Sequence, residues 1–309
     1  MIKEIELVGV SDPNEKNWEK VKSQRVHKVK DFSEWIDKVD GVIIAVPTYL
    51  HYSVAKACLN LKKHILLEKP LTKNFAQAEE LFEIAAKNDT VLHTGHVERF
   101  NGAVQELKKL ILKPHLIESH RIGPFAPRIQ NDTVILDLMI HDLDIIANLV
   151  NSPVKKLNVV AKKVRSDLSD IAVVQIEFDN GTLANIISSR ASEIKKRTMA
   201  IHQEDSFIQL DFTSQDIFIH RHATASVKVG HNQMRYQQAG IVERLFVYKE
   251  NALKLEIEHF AKSIVTGKDK IAPKKDLEAL KLSLEIETAL GYSHDCINSR
   301  NRNSSRPCL

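Results

Sequence analysis

The first hundred residues alternate short apolar strands with amphipathic helices, and that alternation restricts the chain to a parallel sheet covered by helices on both faces. Strands are expected at 5–12, 26–29, 41–47, 64–67 and 91–94, with helices at 14–23, 32–38, 51–61, 74–88 and 102–112 between and after them. Beyond about residue 115 the texture changes. One helix is expected at 133–150, then strands at 156–165, 171–178, 182–190, 197–203, 207–212, 217–221 and 242–247, and closing helices at 252–265 and 275–290. Asp179-Asn180-Gly181 is a strong hairpin signal, so the second set of strands reads as antiparallel. The expected architecture is α/β: a Rossmann-type doubly wound parallel sheet over 1–114, then an α+β domain with an open, mostly antiparallel sheet over 115–290. The tail 291–309, rich in Ser, Asn and Arg without apolar periodicity, is expected to be disordered.

Composition excludes several classes. A chain of 309 residues at 43% hydrophobic and 27% charged is long enough for a sizeable core, and no apolar run approaches the roughly 18 residues of a spanning helix. Cys58, Cys296 and Cys308 have no CxxC spacing, so neither a disulfide framework nor a zinc knuckle is expected, and a reducing, cytoplasmic location fits. The net charge of +4 is too small to imply a nucleic-acid partner.

Open α/β sheets bind ligands at the carboxyl ends of their strands. The run His64-Ile-Leu-Leu-Glu68 ends in Lys69-Pro70, which sets a lysine at such an end and biases it toward an extended backbone. A second constellation, Asp137, His141 and Asp144, falls at i, i+4 and i+7, on one face of a helix among Ile135, Leu136, Met139, Ile140 and Leu143. A lysine and a histidine brought to one cleft can bind a hydroxyl and take its proton. The plain alternatives are a surface lysine before a turn proline and a surface Asp–His pair. Asp12 can hydrogen-bond ribose hydroxyls and repel a 2′-phosphate, or it can cap the following helix. Pro47, Thr48 and His51 suit a loop over an adenylate, or simply a polar helix start. Arg99 and Arg128 can grip an anionic group bidentately, or be ordinary surface arginines. His93, His96, His220 and His222 lack the spacing and partners of a zinc site, so no metal is expected. Lys195-Lys196-Arg197 reads as a solvated bend.

Four motifs occur in order: Ala45-Val-Pro-Thr-Tyr-Leu-His51, Glu68-Lys69-Pro70, Gly95-His-Val-Glu-Arg-Phe100 and Asp137-x3-His141-x2-Asp144. Together they resemble the glucose-fructose oxidoreductase / inositol dehydrogenase (Gfo/Idh/MocA) family over about residues 4–290. The segments around His96, Gly123 and Val134 are most similar to its UDP-N-acetylglucosamine 3-dehydrogenase branch. The resemblance implies NAD-linked oxidation of a sugar or nucleotide-sugar hydroxyl, with NAD preferred over NADP. It implies His141 as acid/base, Lys69 as the stabiliser of the developing alkoxide and Asp137 as an orienting group. Glu68 and His96 would join Asp12, Pro47, Thr48 and His51 on the cofactor side, and Asp144 would join Arg99 and Arg128 on the substrate side. A homo-oligomer is also expected from the open sheet.

The chain departs from that family at its start. A dinucleotide-binding domain opens with a strand, a G-x-G-x-x-G loop and a helix, yet the ten glycines contain no such cluster and the strand-end acid is already residue 12. The expectation is an N-terminally truncated Rossmann domain that binds NAD poorly. Its second and fourth strands then pair directly or leave two edges unpaired. The competing reading is an impaired remnant or a cofactor-free binding or assembly protein.

Overall fold

A computed structural model describes residues 5–22, 25–127, 131–221, 225–230, 233–238, 240–267 and 273–292. The tail beyond Tyr292 and the candidate Arg128 lie outside the described residues. The chain divides into two compact units: Met1–Gly95 with Leu253–Leu277, and His96–Ala252 with Glu278–Leu309.

In the first unit, β1 (Gly9–Ser11) pairs in parallel with β2 (His27–Val29). A separate three-stranded parallel sheet follows, in the order β3 (Gly41–Ile44), β4 (His64–Glu68), β5 (Leu92–Gly95). No ladder joins the two sheets among the described residues, so of the two arrangements expected for these strands the unpaired one is found. Helix α1 (Thr48–Asn60) buries Ala55, Cys58 and Leu59. Helix α2 (Phe75–Lys87) buries Ala78, Leu81, Phe82 and Ala85, the one-sided spacing of a helix on a sheet. Asn74 starts α2 by accepting the Gln77 N–H at 3.2 Å. The helix at Ala252–Thr266 lays Phe260 against Leu66 and Val91. Its approach is close: a Cβ on Gly41 would come within 3.2 Å of Ile264 and 3.3 Å of Phe260.

Two expected helices here are short 3-10 turns instead, Glu15–Lys20 and the pair Phe32–Glu34 and Ile36–Lys38. Asp12, Asn14 and Asp31 each accept an N–H two residues on, holding the backbone in tight turns that compete with a helix. The first turn also buries no residue, so no apolar face rewards extending it.

In the second unit, α3 (Gly102–Leu110) leads into β6 (Pro114–Ile122), and α4 (Ile140–Val150) into β7 (Val154–Lys162), β8 (Ile171–Phe178) and β9 (Leu183–Ser189). Then come β10 (Lys196–Gln203), β11 (Ser206–Asp211), β12 (Asp216–Arg221), a separate hairpin of β13 (Ala225–Gly230) and β14 (Gln233–Gln238), and β15 (Ile241–Leu245). Eight strands form one sheet ordered β15-β12-β11-β10-β6-β9-β8-β7, antiparallel except for the parallel pair β6–β9. Asp179-Asn180-Gly181 does turn β8 into β9, with Gly181 at a φ of 85° that suits glycine. One core joins Val104 and Leu107 of α3, Leu143 and Ile146 of α4, and Leu282 and Ile286 to Ile117, Val174, Ile186, Met199 and Ile208 of the sheet. Each such side chain contributes about 1.5–3 kcal/mol on burial.

The single helix expected at 133–150 is interrupted. Ile135–Met139 form a π-helical turn before α4, which ends at Asn151 in the left-handed conformation. The wider turn means that the i+4 and i+7 spacing from Asp137 does not carry a single α-helical face to Asp144. The Lys195-Lys196-Arg197 bend is corrected as well: Lys196 and Arg197 begin β10, and Arg197 is half-buried.

Candidate active-site elements

In the first unit the candidate cofactor groups other than Asp12, which follows β1, sit at the carboxyl edge of β3–β5. Glu68 ends β4, and Lys69 follows it, half-buried, before a cis bond to Pro70. Across from Glu68, Gly95 ends β5, and a Cβ there would lie 3.1 Å from the Glu68 carboxylate and 3.2 Å from its Cα. That close approach explains a glycine at this strand end. His51 is buried beneath this edge, with Nδ1 2.7 Å from the Pro70 carbonyl and Nε2 2.9 Å from the Val46 carbonyl. A neutral ring donates to one of them, and a doubly protonated ring donates to both. The imidazole thus ties the end of the β3 loop to the proline turn. Pro47 starts α1 and supplies no side-chain cap to its first turn. Asp12 accepts the Asn14 N–H and the Asn17 amide, both at 2.8 Å, so the capping interaction weighed for it is present.

The second unit holds a denser set of charges. Asp137 lies in the π turn, mostly buried, with its carboxylate 4.0 Å from the Arg190 guanidinium. Arg190 follows β9, is 2% exposed, and donates to Asp170 at 2.8 Å, to the Asp132 carbonyl at 2.8 Å and to Ser166 Oγ at 3.1 Å. Asp170 also receives the N–H groups of Val164, Arg165 and Ser166 at 2.8, 2.6 and 2.9 Å. Burial alone would raise its pKa, but these donors and Arg190 outweigh it and hold the carboxyl well below the ordinary range. His141 is half-buried one residue into α4.

Asp144 is buried and takes Arg99 in a bidentate pair, 2.8 and 2.5 Å, with His96 Nδ1 3.9 Å away. Burial works against its charge, while His96 and Arg99 more than offset it, so its pKa is lowered. Arg99, Asp144 and His96 therefore form one buried cluster. Beside it, Arg121 on β6 is 1% exposed, donates to both oxygens of Asp142 at 3.0 and 2.9 Å and to Glu98 at 2.8 Å, and lies 4.9 Å from the Phe212 ring centroid.

Arg121, Asp142, Arg190 and Asp170 escaped the motif-based reading. A signal existed for the arginines, since each continues an inward-facing period-2 series: Ile117, Ser119, Arg121 and Ala184, Ile186, Ser188, Arg190. No group of three or more metal-ligating side chains occurs among the described residues, and no described helix is long and apolar enough to cross a membrane.

A parallel sheet with a lysine at its carboxyl edge, and an antiparallel sheet backed by a helix that carries aspartate and histidine, define the two-domain layout of a nicotinamide-dependent dehydrogenase. Residues 2–96 match the model of the oxidoreductase family with NAD-binding Rossmann fold, and residues 114–209 that of the GFO/IDH/MocA C-terminal domain. The chain belongs to the Gfo/Idh/MocA oxidoreductase family. Its relatives include the UDP-N-acetylglucosamine 3-dehydrogenase of Acidithiobacillus ferrooxidans, 30% identical over 92% of this chain and 91% of that protein. The myo-inositol 2-dehydrogenase of Thermotoga maritima is 27% identical over 94% of each. A solved structure of the Acidithiobacillus enzyme superposes with a TM-score of 0.82 at 28% identity, over 91% of this chain and 89% of that one.

The residues of the β3–β5 edge fit a nicotinamide dinucleotide in part. Gly95 lets the β5 end approach Glu68 closely at this edge, and the start of α1 has no side-chain cap. A glycine-rich diphosphate cradle is not among this chain's residues.

Proposed function

We propose that the protein is an NAD-linked dehydrogenase acting on a ring hydroxyl of a sugar or nucleotide sugar, with the 3-hydroxyl of a UDP-N-acetylhexosamine as first choice. The observation that carries the reading is the 30% identity to a UDP-N-acetylglucosamine 3-dehydrogenase over almost the full length of both chains. Bound NAD would supply the hydride acceptor. On the protein side, His141 exchanges the proton of the reacting hydroxyl. Lys69 donates a hydrogen bond to that oxygen as charge develops on it, and Asp137, braced by Arg190, orients the substrate. Glu68, Pro47, Thr48 and His96 serve the cofactor side, Arg99, Arg128 and Asp144 the substrate side, and His51 holds the edge loops together. We assign Asp12 to the cofactor's ribose, which favours NAD over NADP. The half-buried outer face of the eight-stranded sheet supports a homo-oligomer.

A second reading, a cofactor-free binding or assembly protein, is favoured by the separate β1–β2 and β3–β5 ladders among the described residues. Titrating NADH into the purified chain and following nicotinamide fluorescence separates the two. Saturable binding, together with NAD reduction by UDP-N-acetylglucosamine, supports the dehydrogenase, and loss of turnover by about 10²–10⁴-fold in Lys69→Met and His141→Asn with NADH binding retained supports their roles. Absence of saturable binding sinks the enzyme reading for this polypeptide, and full activity in either variant removes the role given to that residue.

A further inference from the structure

Arg197, the second residue of β10, lies directly opposite Arg121 of β6, so the two side chains share one face of the sheet. Like charges placed opposite each other on neighbouring strands destabilise a sheet. Arg121 is compensated, because Asp142 and Glu98 take three of its N–H donors and Phe212 covers its plane. Arg197 is not: among the described residues its guanidinium has no carboxylate within ion-pair distance and no hydrogen-bond acceptor, although the residue is half-buried. Burial first, and Arg121 second, press its pKa below the ordinary value, while Glu98, Asp142 and Asp137 act on it from further away in the opposite sense. A partly desolvated guanidinium whose planar fork meets no acceptor among the described residues is placed to receive the oxygens of an anion.

The register shows where such an anion would sit. Arg121 pairs with Arg197 on one side and with Ser188 of β9 on the other, and Arg190 follows two residues further along. Arg197 and Arg190 therefore flank the same end of β6 on the same face, two strand spacings apart across the sheet and two residues apart along it, or about 12 Å in all. Arg190 is the residue that braces Asp137. That separation lets one ligand place a sugar ring near Asp137 and a substituent at Arg197.

We infer that Arg197 is a specificity-determining residue that receives a phosphoryl group of the substrate, so that this chain selects phosphorylated or nucleotide-linked sugars over neutral polyols. The inference rests on the dehydrogenase reading for the choice of a sugar, and it divides the family's substrates: relatives include both a UDP-N-acetylglucosamine 3-dehydrogenase and a myo-inositol 2-dehydrogenase.

Calorimetric titration of the full chain with UDP-N-acetylglucosamine, glucose 6-phosphate and myo-inositol tests it without requiring turnover. The wild type is expected to bind at least one phosphorylated ligand about 10-fold or more tightly than myo-inositol, and which of the two it prefers separates a nucleotide diphosphate from a sugar monophosphate. Arg197→Gln should weaken the preferred phosphorylated ligand by about 10- to 100-fold, the range of one charged hydrogen-bonding group, and leave myo-inositol and NADH unchanged. Arg197→Lys, which keeps the charge and loses the fork, should fall between. Undiminished binding of the phosphorylated ligand by Arg197→Gln overturns the assignment, as does an equal loss for myo-inositol. If binding depends on Arg197 but no sugar reduces NAD, the dehydrogenase reading fails and the anion site stands. If sugars turn over with the same KM in wild type and Arg197→Gln, the anion site fails alone.

Discussion

Replacing Arg121 by methionine removes the one cation in direct contact with both Asp142 and Glu98, and the thermodynamic consequence can be worked out from the contacts. Asp142 is fully buried and Glu98 nearly so at its carboxylate, with side-chain exposures of 0% and 12%. Stripping one partner from such a pair costs about 3–5 kcal/mol, because the charge left behind has neither water nor a counter-ion. Arg197 modifies this figure in a particular direction. In the wild type it lies directly opposite another arginine, and like charges opposite each other on neighbouring strands destabilise the sheet. Arg197→Met in the wild-type background should therefore be near neutral or stabilising. With Arg121 already gone, Arg197 is the remaining cation facing Asp142 and Glu98, and its removal should cost about 1–2 kcal/mol. A double-mutant cycle of Arg121→Met and Arg197→Met, read by urea unfolding of the transition that carries the second unit, measures the coupling. The expected double variant is less stable than the sum of the singles. Additivity within about 0.5 kcal/mol, or a loss below about 1 kcal/mol for Arg121→Met, would refute the argument that Arg121 is neutralised and Arg197 is spare.

Three further outcomes are expected. Asp170→Asn should lower stability by about 3 kcal/mol at neutral pH. Because the folded-state pKa of Asp170 is depressed, its contribution is complete above the unfolded value of about 4 and fades as pH falls through the folded one, so the wild-type and variant stability curves should converge only in acid; a gap that stays constant to low pH contradicts the assignment. Gly95→Ala should press its methyl group into Glu68, whose Cα cannot yield, and weaken NADH binding with a smaller loss of melting temperature; an unaltered dissociation constant would show that this edge does not bear on the cofactor. Arg190→Lys should keep a cation near Asp137 while losing the fork that joins Asp170, the Asp132 carbonyl and Ser166, so kcat is expected to drop more than KM rises. A change in KM alone would assign Arg190 to substrate affinity instead.

The parts of the fold legible in the sequence were those with a strong local period or turn chemistry. Strands β3 and β4 are built on apolar runs, 42–46 and 65–67, α2 has its Asn74 cap and one-sided apolar spacing, and Asp179-Asn180-Gly181 marks its hairpin. What escaped was set by neighbours distant in sequence or by side chains that compete with the backbone. Asp12, Asn14 and Asp31 draw local N–H groups into tight turns where a helical period was read. The π turn at Ile135–Met139 leaves no mark in the apolar spacing and changes the rotation between Asp137 and Asp144 from that of a regular α-helix.

The candidate site divides along the same line. Lys69, Asp137 and His141 could be named because they stand in recognisable local motifs. The arginines could not, since whether an arginine is bound or spare depends on what the fold sets opposite it. Arg99, a candidate anion binder, spends its guanidinium on Asp144, whereas Arg197, read as solvated, keeps its fork unengaged by the described residues. Strand register, which the local run Lys195-Lys196-Arg197 does not reveal, sets Arg197 opposite Arg121 and two strands from Arg190, and the ligand role proposed for it follows from that placement.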